Sequence, residues 1–153
     1  MRTKFWLLCL MIAASGSQAS AADRFYCAVD DGAVKLSVES GFLNTDGQEL
    51  NHFRGIVAFN QDKGPTPVVE ARLTSAMLSQ HWMDGEEMRL RAYFKTGPDN
   101  AAASLDLMIE TKRTKRGSGR FEGNYTAVMQ AASSTRSPPP PVTRNGKLLC
   151  SLR

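Results

Sequence analysis

Residues 24–38 read Arg-Phe-Tyr-Cys-Ala-Val-Asp-Asp-Gly-Ala-Val-Lys-Leu-Ser-Val, and this stretch decides the fold class. Phe25, Cys27 and Val29 alternate with Arg24, Tyr26 and Ala28. Beyond Asp31-Gly32, Val34, Leu36 and Val38 alternate with Lys35 and Ser37. A period of two with the apolar residues on one side marks a half-buried strand. Asp-Gly between two such runs favours a hairpin, because glycine accepts positive φ and the turn twists as the strands do. A two-residue loop predicts Val29 opposite Val34, Cys27 opposite Leu36 and Phe25 opposite Val38, all on one face.

The same grammar recurs outward along the chain. Leu78 to Phe94 pass through Met83-Asp84-Gly85. A three-residue loop predicts the pairs Trp82–Glu86, Gln80–Met88 and Leu78–Leu90, with Ala92 and Phe94 extending the apolar side. A two-residue loop would set Trp82 against Glu87 and Leu78 against Arg91, so the apolar count favours the longer one. The outer side then carries His81, Glu87, Arg89, Arg91, Tyr93 and Lys95. A third hairpin pairs Leu105, Leu107 and Ile109 with the run Phe121, Gly123, Tyr125, Ala127 and Met129, and sets Glu110 against Arg120. Leu148, Cys150 and Leu152 predict a short last strand.

Two regions fit the pattern less well. Phe53, Val57 and Phe59 predict a strand in which Leu50 and Ile56 have the opposite phase. Between 68 and 82 the apolar phase switches from Val69, Ala71 and Leu73 to Ala76, Leu78 and Trp82. That predicts a bulged strand, with a short helix through Leu73, Met77 and His81 as the alternative. Residues 131–146, with four prolines from Pro138 to Pro141, read as a stiff loop. The sum is an all-β domain of about seven or eight antiparallel strands, a small β-barrel or β-sandwich.

The ends of the 153-residue chain carry information of another kind. Arg2 and Lys4, the apolar run Phe5–Ala14 and the small residues Ala19-Ser20-Ala21-Ala22 predict a signal peptide over residues 1–22. Residues 23–153 then form one domain with no transmembrane segment, in the periplasm or secreted. Arg2 and Lys4 leave with the leader, so 19 Lys and Arg become 17 against 15 Asp and Glu, and the net charge falls from +4 to +2. That balance argues against nucleic acid as a partner. Cys9 also leaves, and Cys27 and Cys150 remain to form one disulfide in an oxidising compartment.

The chemistry-bearing residues are sparse. His52 and His81 are the only histidines and belong to no metal-spaced motif, and a soft-metal set of His81, Met83 and Met88 does not converge in the predicted register. No nucleophile elbow, phosphate loop or dinucleotide fingerprint occurs. The reading is therefore non-enzymatic, without cofactor or metal; a small hydrolase with an unrecognised site is the remote alternative. The distinctive feature is Thr111–Arg120, TKRTKRGSGR, which puts Lys112, Arg113, Lys115, Arg116 and Arg120 around a hairpin tip. With Arg89 and Arg91 it forms a candidate site for an anionic envelope lipid or glycan, or for an acidic protein.

Phe25-Tyr26-Cys27, the last-strand Cys150, and Trp82-Met83-Asp84-Gly85-Glu86 leading into Met88 and Leu90 resemble the periplasmic inhibitors of c-type lysozyme. The resemblance covers about a quarter of the chain, and it lacks those inhibitors' Ser-Gly-x-x-Tyr motif, with Thr74-Ser75-Ala76-Met77 standing before Trp82. It implies a disulfide-closed β-barrel that blocks an enzyme's acidic cleft by protein–protein contact.

Overall fold

The computed structural model describes residues 24–43, 49–97, 102–133 and 138–152. The predicted signal peptide lies outside them. Among the described residues nine strands follow one another: β1 (Arg24–Asp30), β2 (Val34–Phe42), β3 (Leu50–Phe59), β4 (Glu70–Thr74), β5 (Leu78–Met83), β6 (Glu87–Lys95), β7 (Ser104–Arg113), β8 (Arg120–Gln130) and β9 (Val142–Leu152). They form one antiparallel sheet in the order β4-β3-β2-β1-β9-β8-β7-β6-β5. The all-β expectation holds, as a nearly closed barrel. Its two sheet edges, β4 and β5, are consecutive in the chain and joined by the 3₁₀ turn Ser75–Met77.

Alternation builds the interior. Phe25, Leu36, Val38, Val57, Leu105, Leu107, Ile109, Phe121, Tyr125 and Met129 are among the buried side chains filling it. Cys27 and Cys150 stand directly opposite in β1 and β9 and are bonded, linking the chain across a separation of 123 residues. Their Cα atoms are 4.0 Å apart, the close approach of a narrow antiparallel pair.

Both Asp-Gly turns differ from the sequence expectation, and for the same reason. Asp31 Oδ1 accepts the N–H groups of Ala33 and Val34 at 3.0 and 2.9 Å, and Asp84 Oδ1 accepts those of Glu86 and Glu87 at 3.0 and 2.9 Å. The carboxylate organises the turn around itself, and the glycine after it takes φ of +81° or +90°. At the first turn the pairs become Val29–Leu36 and Cys27–Val38, a shift of two residues that keeps every side chain on its predicted face. At the second they become Met83–Met88 and Trp82–Arg89, an odd shift that reverses β5 from Gln80 to Met83, while a register break before Gln80 keeps Leu78 on the inner side opposite Ala92. Trp82 therefore points outward, and His81, which the expected three-residue loop would set opposite Glu87, stands opposite Leu90.

Other differences are local. Leu50 joins the core margin because a register shift in the β2–β3 ladder, with His52 at φ 60°, resets the phase before Phe53. Residues 68–82 form neither a continuous bulged strand nor an α-helix: β4 ends, a 3₁₀ turn intervenes, and β5 starts a new sheet edge. β9 begins at Val142, so residues 142–146 of the expected loop are strand. Glu110 stands opposite Asn124, not Arg120.

Candidate functional site

The β7–β8 hairpin brings the predicted basic residues to one end of the barrel, then treats them differently. Lys112 and Arg113 belong to β7 itself. The turn proper is closed by Thr114 N–H donating to the Arg120 carbonyl at 2.9 Å and Ser118 N–H donating to the Lys115 carbonyl at 2.9 Å. Arg116 and Gly117 occupy the corner, where Gly117 takes φ of +74°.

Arg113 is the clamp of this tip. Its backbone N–H donates to the Glu86 carbonyl at 2.7 Å, and its guanidinium donates to the carbonyls of Gly85 and Ser118. The same guanidinium lies 4.5 Å from the Phe121 ring centroid. A planar donor fork stacked on an aromatic ring suits arginine and not lysine. The tip is thus fastened to the β5–β6 turn, and Leu152 N–H secures its other side by donating to the Gly119 carbonyl at 2.7 Å.

The remaining candidates fall into two sets. Lys115, Arg116 and Arg120 are exposed, and none forms an ion pair among the described residues. Lys112, Arg89 and Arg91 instead lie on the outer face of β6 and β7, matched with carboxylates. Lys112 Nζ is 2.9 Å from Glu87, which also receives Arg89 at 3.0 Å. Arg91 donates twice to Asp106, at 2.8 and 2.5 Å. The hydrogen bond from Lys112 is the main reason the Glu87 carboxyl lies below its ordinary pKa; burial opposes it, and the hydrogen bond from Arg89 adds to the lowering. Hydrogen bonds from the Glu87 and Glu86 amides hold Asp84 low as well. These acids stay ionised at neutral pH and serve as acceptors.

Trp82, which the predicted register sets on the inner side, stands on the outer side. It is 46% exposed, with the Arg89 guanidinium carbon 5.5 Å from its ring centroid. The signal was present in the rejected two-residue register, whose parity puts Trp82 on the outer side.

At the far end of the barrel the Tyr125 hydroxyl donates to Asp31 Oδ2 at 2.5 Å. Burial pushes the Asp31 carboxyl up, but this bond and the turn amides outweigh it and leave the group below its ordinary value. Burial first, and then the bond to Asp31, push the Tyr125 phenol well above its ordinary range.

No family model matches the chain, and no curated protein or solved structure matches it either.

Proposed function

We propose that this chain is a non-catalytic, exported binding module that engages an anionic envelope partner, a phosphate-bearing lipid or glycan, through the β7–β8 tip. One observation carries the reading: Lys115, Arg116 and Arg120 are exposed, with no carboxylate partner among the described residues, on a turn that Arg113 holds in place. Uncompensated cations on a preset turn attract an anion without first having to leave another partner. Among the described residues no helix is long and apolar enough to cross a membrane, and the Cys27–Cys150 bond is compatible with export. Co-sedimentation with anionic and with neutral vesicles tests the proposal. Binding only to the anionic ones, lost in a K115A/R116A/R120A variant, supports it; equal binding of wild type and variant overturns it.

A second reading, inhibition of a c-type lysozyme, gains one specific support. The segment that resembles those inhibitors, Trp82 to Glu86, is hydrogen-bonded to the basic tip through Arg113 and Gly85, so both would meet an acidic cleft together. A cell-wall lysis assay separates the readings, because anion binding without inhibition discards this one.

A further inference from the structure

Strands β5 to β9 present a second surface that the tip does not use. A shallow depression of about 600 Å³ lies around Trp82, Arg89, Arg91, Met108 and Glu110, and a neighbouring one of about 540 Å³ runs past Lys112, Glu122, Asn124 and Lys147 to Leu149. Arg89 and Glu110 line both, so the two depressions adjoin along one outer face that crosses the strands. Five strands at the usual spacing make it about 19 Å long.

The charge of the groove is balanced. Arg89, Arg91, Lys112 and Lys147 face Glu87, Glu110, Glu122 and the Asp106 that holds Arg91. A polyanion or a strongly basic partner would meet as much repulsion as attraction here. The ends are apolar, with Trp82 46% and Leu149 63% exposed. A surface of this kind combines an aromatic face with forked donors and acceptors fixed by their own ion pairs. It is complementary to a pyranose chain, whose C–H faces stack on an aromatic ring and whose paired hydroxyls accept and donate at once.

We propose that the outer groove from Trp82 to Leu149 binds an uncharged linear glycan, with Trp82 as its stacking platform. The site is separate from the basic tip, and its occupancy does not depend on Lys115, Arg116 or Arg120. Because the guanidinium of Arg89 lies against one side of the indole, the sugar takes the open part of the ring.

Isothermal titration of the full chain with soluble tetrasaccharides of glucose, N-acetylglucosamine and mannose tests this. At least one binds saturably, with an affinity that does not change as salt is raised. W82A weakens that binding about tenfold or more, the effect of removing an aromatic stacking platform. L149D weakens the tetrasaccharide but not the corresponding disaccharide, since only the longer chain spans the groove. The K115A/R116A/R120A variant, which removes the proposed anion site, binds sugar as wild type does. Absence of saturable binding to every tetrasaccharide, unchanged affinity in W82A, or binding abolished by salt would each overturn the proposal.

Discussion

The β7–β8 tip and the outer groove draw on the same kind of residue and put it to opposite use. In the groove each arginine has a carboxylate within reach: Arg91 holds Asp106, and Arg89 and Lys112 share Glu87. At the tip, Lys115, Arg116 and Arg120 have none among the described residues. Counting cations along the sequence merges these regions into one basic patch; the register separates them. The lesson is that a basic run leaves cations open to a partner only where the neighbouring strand does not neutralise them.

The largest expected effect would remove both regions together. Both depend on β8 and β9, and β9 is joined to β1 by the disulfide. C27S/C150S should lower unfolding free energy by about 4–5 kcal/mol in the chain-entropy account, read by denaturant titration. A loss below about 1 kcal/mol would show that the β1–β9 hydrogen bonds alone suffice.

The next effect breaks the tip and spares the groove. K115A/R116A/R120A should cost about 3 kcal/mol of affinity for an anionic surface, about 150-fold, from roughly 1 kcal/mol for each cation. Its unfolding midpoint should match wild type, because these side chains make no ion pair among the described residues.

Smaller still is the clamp. R113A loses hydrogen bonds to Gly85 and Ser118 and the contact with Phe121, which predicts about 1–3 kcal/mol of stability. R113K should recover little of it, since a point charge replaces neither the fork nor the stack. Anion binding should weaken with the net charge changed only in the alanine form, so the lysine variant separates charge from positioning.

Y125F acts at the opposite end of the barrel and serves as a control for both regions. It removes the hydroxyl held by Asp31 and should cost about 1–2 kcal/mol without altering either proposed binding. The pH dependence follows from the two shifts. Asp31 lies below its ordinary value of 3.8, so its contribution is present above that pH and is lost as pH falls through the lowered folded value. Tyr125 lies above its ordinary value of 10.0, so its contribution is present below that pH and fades as pH rises beyond it. Y125F should flatten the alkaline limb of an unfolding profile.

Most of the architecture was legible because alternation and turn chemistry agree in β1, β2, β7 and β8. Cys27 and Cys150 were identifiable as a pair for the same reason: both fall in the apolar phase of terminal strands. The functional faces were less legible. Asp31 and Asp84 form the same side-chain-capped turn, yet only one shift was harmless, since two residues preserve a strand's face and an odd number reverses it. That parity moved Trp82 from the expected core to the surface and separated His81 from Glu87. Arg113 illustrates the other limit: within TKRTKRGSGR it is one cation of several, and only the approach of the β5–β6 turn makes it a clamp. The placement of β4 and β5 at opposite sheet edges rests on long-range closure, which no local pattern encodes.

The most direct measurement of the central claim is the salt dependence of binding to phosphate-bearing vesicles, for wild type and for K115A/R116A/R120A. If the unpaired tip cations make the contact, wild-type affinity falls steeply as salt rises, and the variant shows both weak binding and a flattened dependence. Equal affinity and equal salt dependence in the two proteins would contradict the account.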